Sequence, residues 1–185
     1  MDQKLFAVML GGRAPRANTE LHDVVFVTGA RIEDTYDQLL DKWFGSPEGL
    51  HIDSWVELDV IDGWRVTLTD SKPAGTGEQL FFVNLGAYQP GSFVELHATG
   101  FYVTTNAAQA KDRARAALFR ENGLAQVHKD DLHAVDDCLA IDGVDGLHVT
   151  LTWTGETSQE IPQDGYHLIP KPVVAAWAAA KITQD

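Results

Sequence analysis

Apolar residues along the chain fall into short runs, and the spacing inside each run predicts its element. Leu5 to Leu10 is an uninterrupted apolar run, too short for a helix and closed by Gly11-Gly12, which predicts a first strand. Glu20 to Thr28, rich in β-branched and aromatic residues, predicts a second. The period then changes. Ile32, Tyr36, Leu39, Leu40, Trp43 and Phe44 recur at helical spacing, Glu33 and Asp34 fall where the helix dipole favours acids, and Gly45 and Pro47 close the element. Trp55 to Val60 and Trp64 to Thr69 predict two further strands joined by an Asp62-Gly63 hairpin turn.

The same pattern returns 75 residues later. Leu5 to Phe44 laid over Leu80 to Phe119 without a gap gives 12 identities in 40 positions, among them Gly11/Gly86, Pro15/Pro90, Glu20/Glu95, Leu21/Leu96 and His22/His97. Ordinary residue frequencies would give about two or three. A two-residue insertion places His51-x-Asp53 on His128-x-Asp130, and a longer one places Asp62-Gly63 on Asp145-Gly146. In the second copy Asn106 is a helix N-cap candidate, and the helix that follows shows the smaller apolar face Ala107, Ala110, Ala114, Ala117 and Leu118.

The expected fold class is therefore α+β, built from two tandem β-β-α-β-β units of mostly antiparallel sheet. The first repeat covers residues 1–70, a Pro- and Gly-containing linker 71–79, the second repeat 80–154, and a tail 155–185. So short a linker keeps the repeats close, and edge-to-edge joining into one larger sheet would remove exposed strand edges. The tail offers an edge strand around Tyr166 to Ile169 and a short alanine-rich helix carrying Trp177.

Composition narrows the range of functions. Net charge is −13, spread as −7 over residues 1–79 and −6 over 80–185, so no basic stripe exists to neutralise phosphates and nucleic-acid binding is not expected. No apolar run is long enough for a membrane span or a secretory leader. The single cysteine, Cys138, rules out an internal disulfide and points to a reducing cytoplasm. Its acidic neighbours would raise its pKa and disfavour a nucleophilic role.

Candidate chemistry concentrates in the first repeat. Residues two apart on a strand share a face, which pairs Glu20 with His22 and, if extended, His51 with Asp53. With Asp23 these make a candidate catalytic set, and Glu95, His97, His128 and Asp130 are their counterparts in the second repeat. Two imidazoles and two carboxylates can form an acid–base pair or hold a divalent metal, and they can equally form a hydrogen-bond network that fixes strand ends. Arg13 and Arg16, in the loop after the first strand, suit an anionic small molecule; the second repeat lacks both. The rival to a ligand site is a non-catalytic interaction module whose polar clusters are purely structural.

Three segments, Leu5–Gly12, Glu20–Phe26 and Leu50–Trp55, resemble the signature segments of a bacterial family catalogued as domain of unknown function 1543, which carries one or two copies of its unit. The resemblance implies the duplicated architecture and brings no assigned chemistry with it.

Overall fold

The structure is a computed structural model, and it describes residues 3–73, 75, 77–87, 91, 93–121, 135–157 and 160–183. Its strands and helices run β1 (Lys4–Gly12), β2 (Leu21–Gly29), a single 3-10 turn (Ile32–Thr35), α1 (Tyr36–Lys42), β3 (His51–Glu57), β4 (Val60–Ile61), β5 (Trp64–Thr69), β6 (Gln79–Ala87), β7 (Leu96–Thr104), α2 (Ala107–Glu121), β8 (Val135–Ala140), β9 (Gly143–Val144), β10 (Leu147–Trp153), β11 (Gln163–Leu168) and α3 (Lys171–Ile182). Every strand pairing is antiparallel. The α+β class with two copies of one unit is what the pattern predicts. Among the described residues no helix is long and apolar enough to cross a membrane.

The chain divides into two compact units, Met1–Asp59 with Gln159–Asp185, and Val60–Ser158. In the first, the sheet order is β11-β3-β1-β2. Alternate residues of β1, Phe6, Val8 and Leu10, enter one core with Val25, Val27, Leu39, Leu40, Trp43 and Ile52. Each such side chain, fully buried, contributes about 1.5–3 kcal/mol of transfer free energy. The C-terminal segment joins this core. β11 pairs with β3, and α3 lays Val173, Val174 and Trp177 on the same cluster. Trp177 Nε1 and Lys181 Nζ both donate to Asp41 Oδ1 at 2.7 Å, pinning α3 to α1.

The second unit holds two sheets. One, β7-β6-β8, packs against α2, whose Ala110 and Ala114 are completely buried beside Phe81, Val83, Leu85 and Tyr102. Small side chains on this helix let its axis approach the sheet closely. Asn106 caps it, its Oδ1 accepting the Gln109 N–H at 3.0 Å. The other sheet, β4-β5-β10-β9, is made of two hairpins, one from each repeat, joined along β5 and β10 from Thr69↔His148 to Trp64↔Trp153. Edge-to-edge joining of the repeats thus takes place between their terminal hairpins. Both hairpins turn at an Asp-Gly pair with positive φ at each residue, 53° and 82° at Asp62-Gly63 and 53° and 86° at Asp145-Gly146, the mirror-image turn that matches strand twist.

Two elements depart from expectation. The strand expected over Trp55 to Val60 is divided: β3 ends at Glu57, and Val60 begins β4 in a different sheet. At the break, the N–H of fully buried Leu58 donates to Leu5 O at 2.9 Å, and the chain then leaves the first sheet. The helix expected to reach Phe44 stops at Lys42. Trp43 adopts extended backbone (ψ 127°), so Trp43 still reaches the core but Phe44 is 58% exposed.

Candidate functional site

The site is built around a residue with no side chain. Gly11 of β1 pairs with His22 on β2 and with His51 on β3, so the three lie in one row across the sheet, with the two histidines on either side. A Cβ at Gly11 would fall 2.5 Å from His51 Nε2 and 2.8 Å from Asp53 Oδ2, so the imidazole and the carboxylate occupy the space a side chain would take. Asp53 reaches this space through a bulge. Met9 pairs with Ser54 and Leu10 with Ile52, which leaves Asp53 as the extra residue of β3. Such an insertion bends the strand and re-aims its side chain.

Asp53 bridges the two imidazoles. Its Oδ2 lies 3.2 Å from His22 Nε2 and its Oδ1 3.3 Å from His51 Nε2. Glu20, just before β2, places Oε1 3.1 Å from the same nitrogen of His51. On the other side of that ring, Nδ1 donates to Gly49 O at 3.0 Å; the turn carrying Gly49 is closed by Leu50 N–H to Pro47 O at 3.3 Å. A carbonyl can only accept, which puts a proton on Nδ1 and leaves Nε2 facing the Glu20 and Asp53 carboxyl groups. His51 thus lies between a backbone carbonyl and two carboxyl groups. Its side chain is 2% exposed, whereas that of His22 is 51% exposed. The ring of Tyr166, on β11, stacks on His51 with centroids 4.1 Å apart and planes tilted by 39°.

Glu20, His22, His51 and Asp53 are therefore together in the first repeat. Asp23 is not with them. As the residue after His22 on a strand it projects to the opposite face, paired with Leu10. Arg13 and Arg16 are exposed in the β1–β2 loop, and among the described residues neither guanidinium forms an ion pair with the cluster; the Arg13 carbonyl instead accepts the Ser46 N–H at 2.7 Å. No group of three His, Cys, Asp or Glu side chains among the described residues is arranged to hold a metal ion.

In the second repeat His97 pairs with Gly86 as His22 does with Gly11, and its Nε2 is 3.8 Å from Glu95 Oε2. His128 and Asp130 lie outside the described residues. The ladder register offers a different correspondence from the sequence alignment. Leu85 pairs with Val135 and Asn84 with Asp137, so Asp136 is the extra residue of β8, as Asp53 is of β3. The offset is 83, the same as from Asp62 to Asp145. Cys138 has its thiol pushed up chiefly by burial, with Lys111 opposing; burial, not the acidic neighbours, is the cause.

Three residues of the site were not among the sequence candidates: Gly11, Gly49 and Tyr166. Gly11 carried a signal, since a glycine at the end of a strand run, repeated as Gly86, marks a close approach. Tyr166 carried none, because the tail has no copy in the first repeat.

A family model described as Domain of Unknown Function (DUF1543) matches residues 17–68 and 92–151, one match in each repeat and together more than half of the chain. The chain belongs to the DUF1543 family. In this DUF1543 protein the first match holds Glu20, His22, His51 and Asp53, while Gly11 and Tyr166 fall outside both. The fold is similar to that in the crystal structure of a protein Il1583 from Idiomarina loihiensis, at 38% identity and a TM-score of 0.72, covering 92% of this chain and 99% of that one. No curated protein matches.

Proposed function

We propose that the first repeat carries a small-molecule site in which His22 transfers a proton, Asp53 orients it, and His51 anchors Asp53. The observation that carries this reading is one carboxylate shared by two imidazoles of opposite exposure, His22 half open to solvent and His51 buried. When Asp53 accepts from Nε2–H of His22, the tautomer is set and the Nδ1 lone pair is left as the base. The buried ring of His51 holds the carboxylate in place. Arg13 and Arg16 stand in the loop between Gly12 and Glu20, where they would receive an acidic ligand.

The test separates the two histidines. His22→Ala should leave the melting temperature nearly unchanged while removing the stabilisation by ligands found in a thermal-shift screen of small carboxylates and phosphates. His51→Ala should destabilise by about 1.5–3 kcal/mol, the scale for a buried hydrogen-bonded group beside charges, because the bond to Gly49 O and the contacts with Glu20 and Asp53 are lost. One divalent ion per chain on elemental analysis, lost in His51→Ala, would overturn the acid–base scheme in favour of a metal site. A second reading draws on the tight enclosure of His51: the cluster ties strand ends in an interaction protein without chemistry. Equal destabilisation by both substitutions, with no ligand in the screen, would select it.

A further inference from the structure

We infer that Tyr166 is a positioning residue of this site, closing over His51 and keeping its ring on Gly49 and the carboxylate pair, so that the first repeat's site is incomplete without the C-terminal strand. The inference rests on the site proposed above and extends it to a segment outside both family matches. Its ground is a coincidence of two backbone irregularities. Along the β3–β11 ladder Asp164 pairs with Ser54 and His167 with Ile52, so Gly165 and Tyr166 together stand opposite Asp53 alone. Asp53 is also the extra residue of β3 against β1. Two neighbouring ladders thus break at the same residue, and the breaks deliver Asp53 to Nε2 of His51 and Tyr166 to its ring face.

The β11 break depends on Gly165, whose φ of 137° is strained for any residue with a side chain. β11 is tied down beyond the break, where Leu168 pairs with His51 and the Ile169 N–H donates to Leu50 O at 3.1 Å. Tyr166 is 64% exposed, so core burial does not account for its placement. Its contact with His51 does, because the stacked ring covers an imidazole that would otherwise meet water as the other members of the cluster do. Water at that face would compete for the ring's contacts with Gly49 O and the carboxyl groups, and the orientation of Asp53 would loosen with them.

The test reads the ring N–H resonances of His51 by NMR in the full-length protein. In the wild type they should be resolved, shielded from exchange with water, while His22 shows none. Tyr166→Phe, which keeps the stack, should preserve them. Tyr166→Ala should lose them to solvent exchange while backbone resonances of β1 and β2 stay in place, a local effect that general destabilisation would not produce. Resolved His51 signals in a folded Tyr166→Ala, or their loss in Tyr166→Phe, would overturn the inference. If Tyr166→Ala does not fold, Tyr166→Thr decides the question in the same way, since it uncovers the ring while keeping a strand-forming residue. The readout needs no ligand, so it fails or succeeds separately from the ligand screen on His22→Ala.

Discussion

Adding one methyl group at Gly11 tests the geometry of the cluster more directly than removing any of its polar groups. Gly11 has ordinary strand backbone, and at such a position alanine should stabilise by about 0.4–1 kcal/mol through the unfolded chain if space allowed. Space does not allow it. The new Cβ would lie 2.5 Å from His51 Nε2, and relief to ordinary contact requires a displacement of about 1 Å. His51 has nowhere to go, because Gly49 O, Tyr166 and two carboxylates hold it. Overpacking of this kind costs about 1–3 kcal/mol, and weakening the ion-pair contacts at Nε2 adds to it. After the entropic gain the expected net loss is about 2 kcal/mol, a fall in melting temperature of about 4–8 °C for a chain of this size. Gly75→Ala is the control, since its Cβ meets nothing within 4 Å and its φ is not positive. Paired thermal unfolding curves measure the difference. A Gly11→Ala protein as stable as Gly75→Ala would refute the dovetailing of His51 and Asp53 above Gly11.

Acid should release α3 from α1. Hydrogen bonds from Lys181 and Trp177 hold the Asp41 carboxyl below its ordinary value of 3.8, so their contribution is complete above that value and is lost as pH falls through the lower, folded one. Protection of the α3 amides, relative to their intrinsic exchange rates, should fall in that acid window, and Asp41→Asn should show weakened α3 protection already at neutral pH; identical α3 protection in the two proteins at neutral pH would count against the contact. For Cys138, burial pushes the thiol up, so iodoacetamide should react slowly near pH 8.5, where a free thiol is about half ionised, and speed up only at higher pH. Lys111→Ala should slow it further, since Lys111 is the one cause acting in the opposite direction, and an unchanged rate would show that this charge does not reach the thiol.

Element types and the duplication were legible in the chain because they depend on local spacing. An apolar run that fills both faces of β1, a 3.6-residue period at Ile32 to Trp43, and Asp-Gly turns repeated at an offset of 83 each state their geometry within a few residues. Side-chain alternation also placed Glu20 with His22. It served less well at His51 and Asp53, where a bulge interrupts the alternation while still bringing the two together. Phe44 shows the limit of periodicity: its spacing is helical, but the backbone had already left the helix at Trp43.

What the sequence by itself determined, then, was the unit and its polar positions: strands, helices, turns, and four titratable residues in the first repeat. Tertiary structure alone decided which of them meet, and on what terms. The division of the strand after Glu57, the choice of hairpins as the joined edges, the bulge at Asp53 and the arrival of Tyr166 more than a hundred residues from His51 all arise from pairing between distant segments. Ladder register is a property of two strands together, so no periodicity within either one encodes it. The same holds for Gly11, which reads as a mere strand end until His51 and Asp53 are seen in the volume it leaves empty.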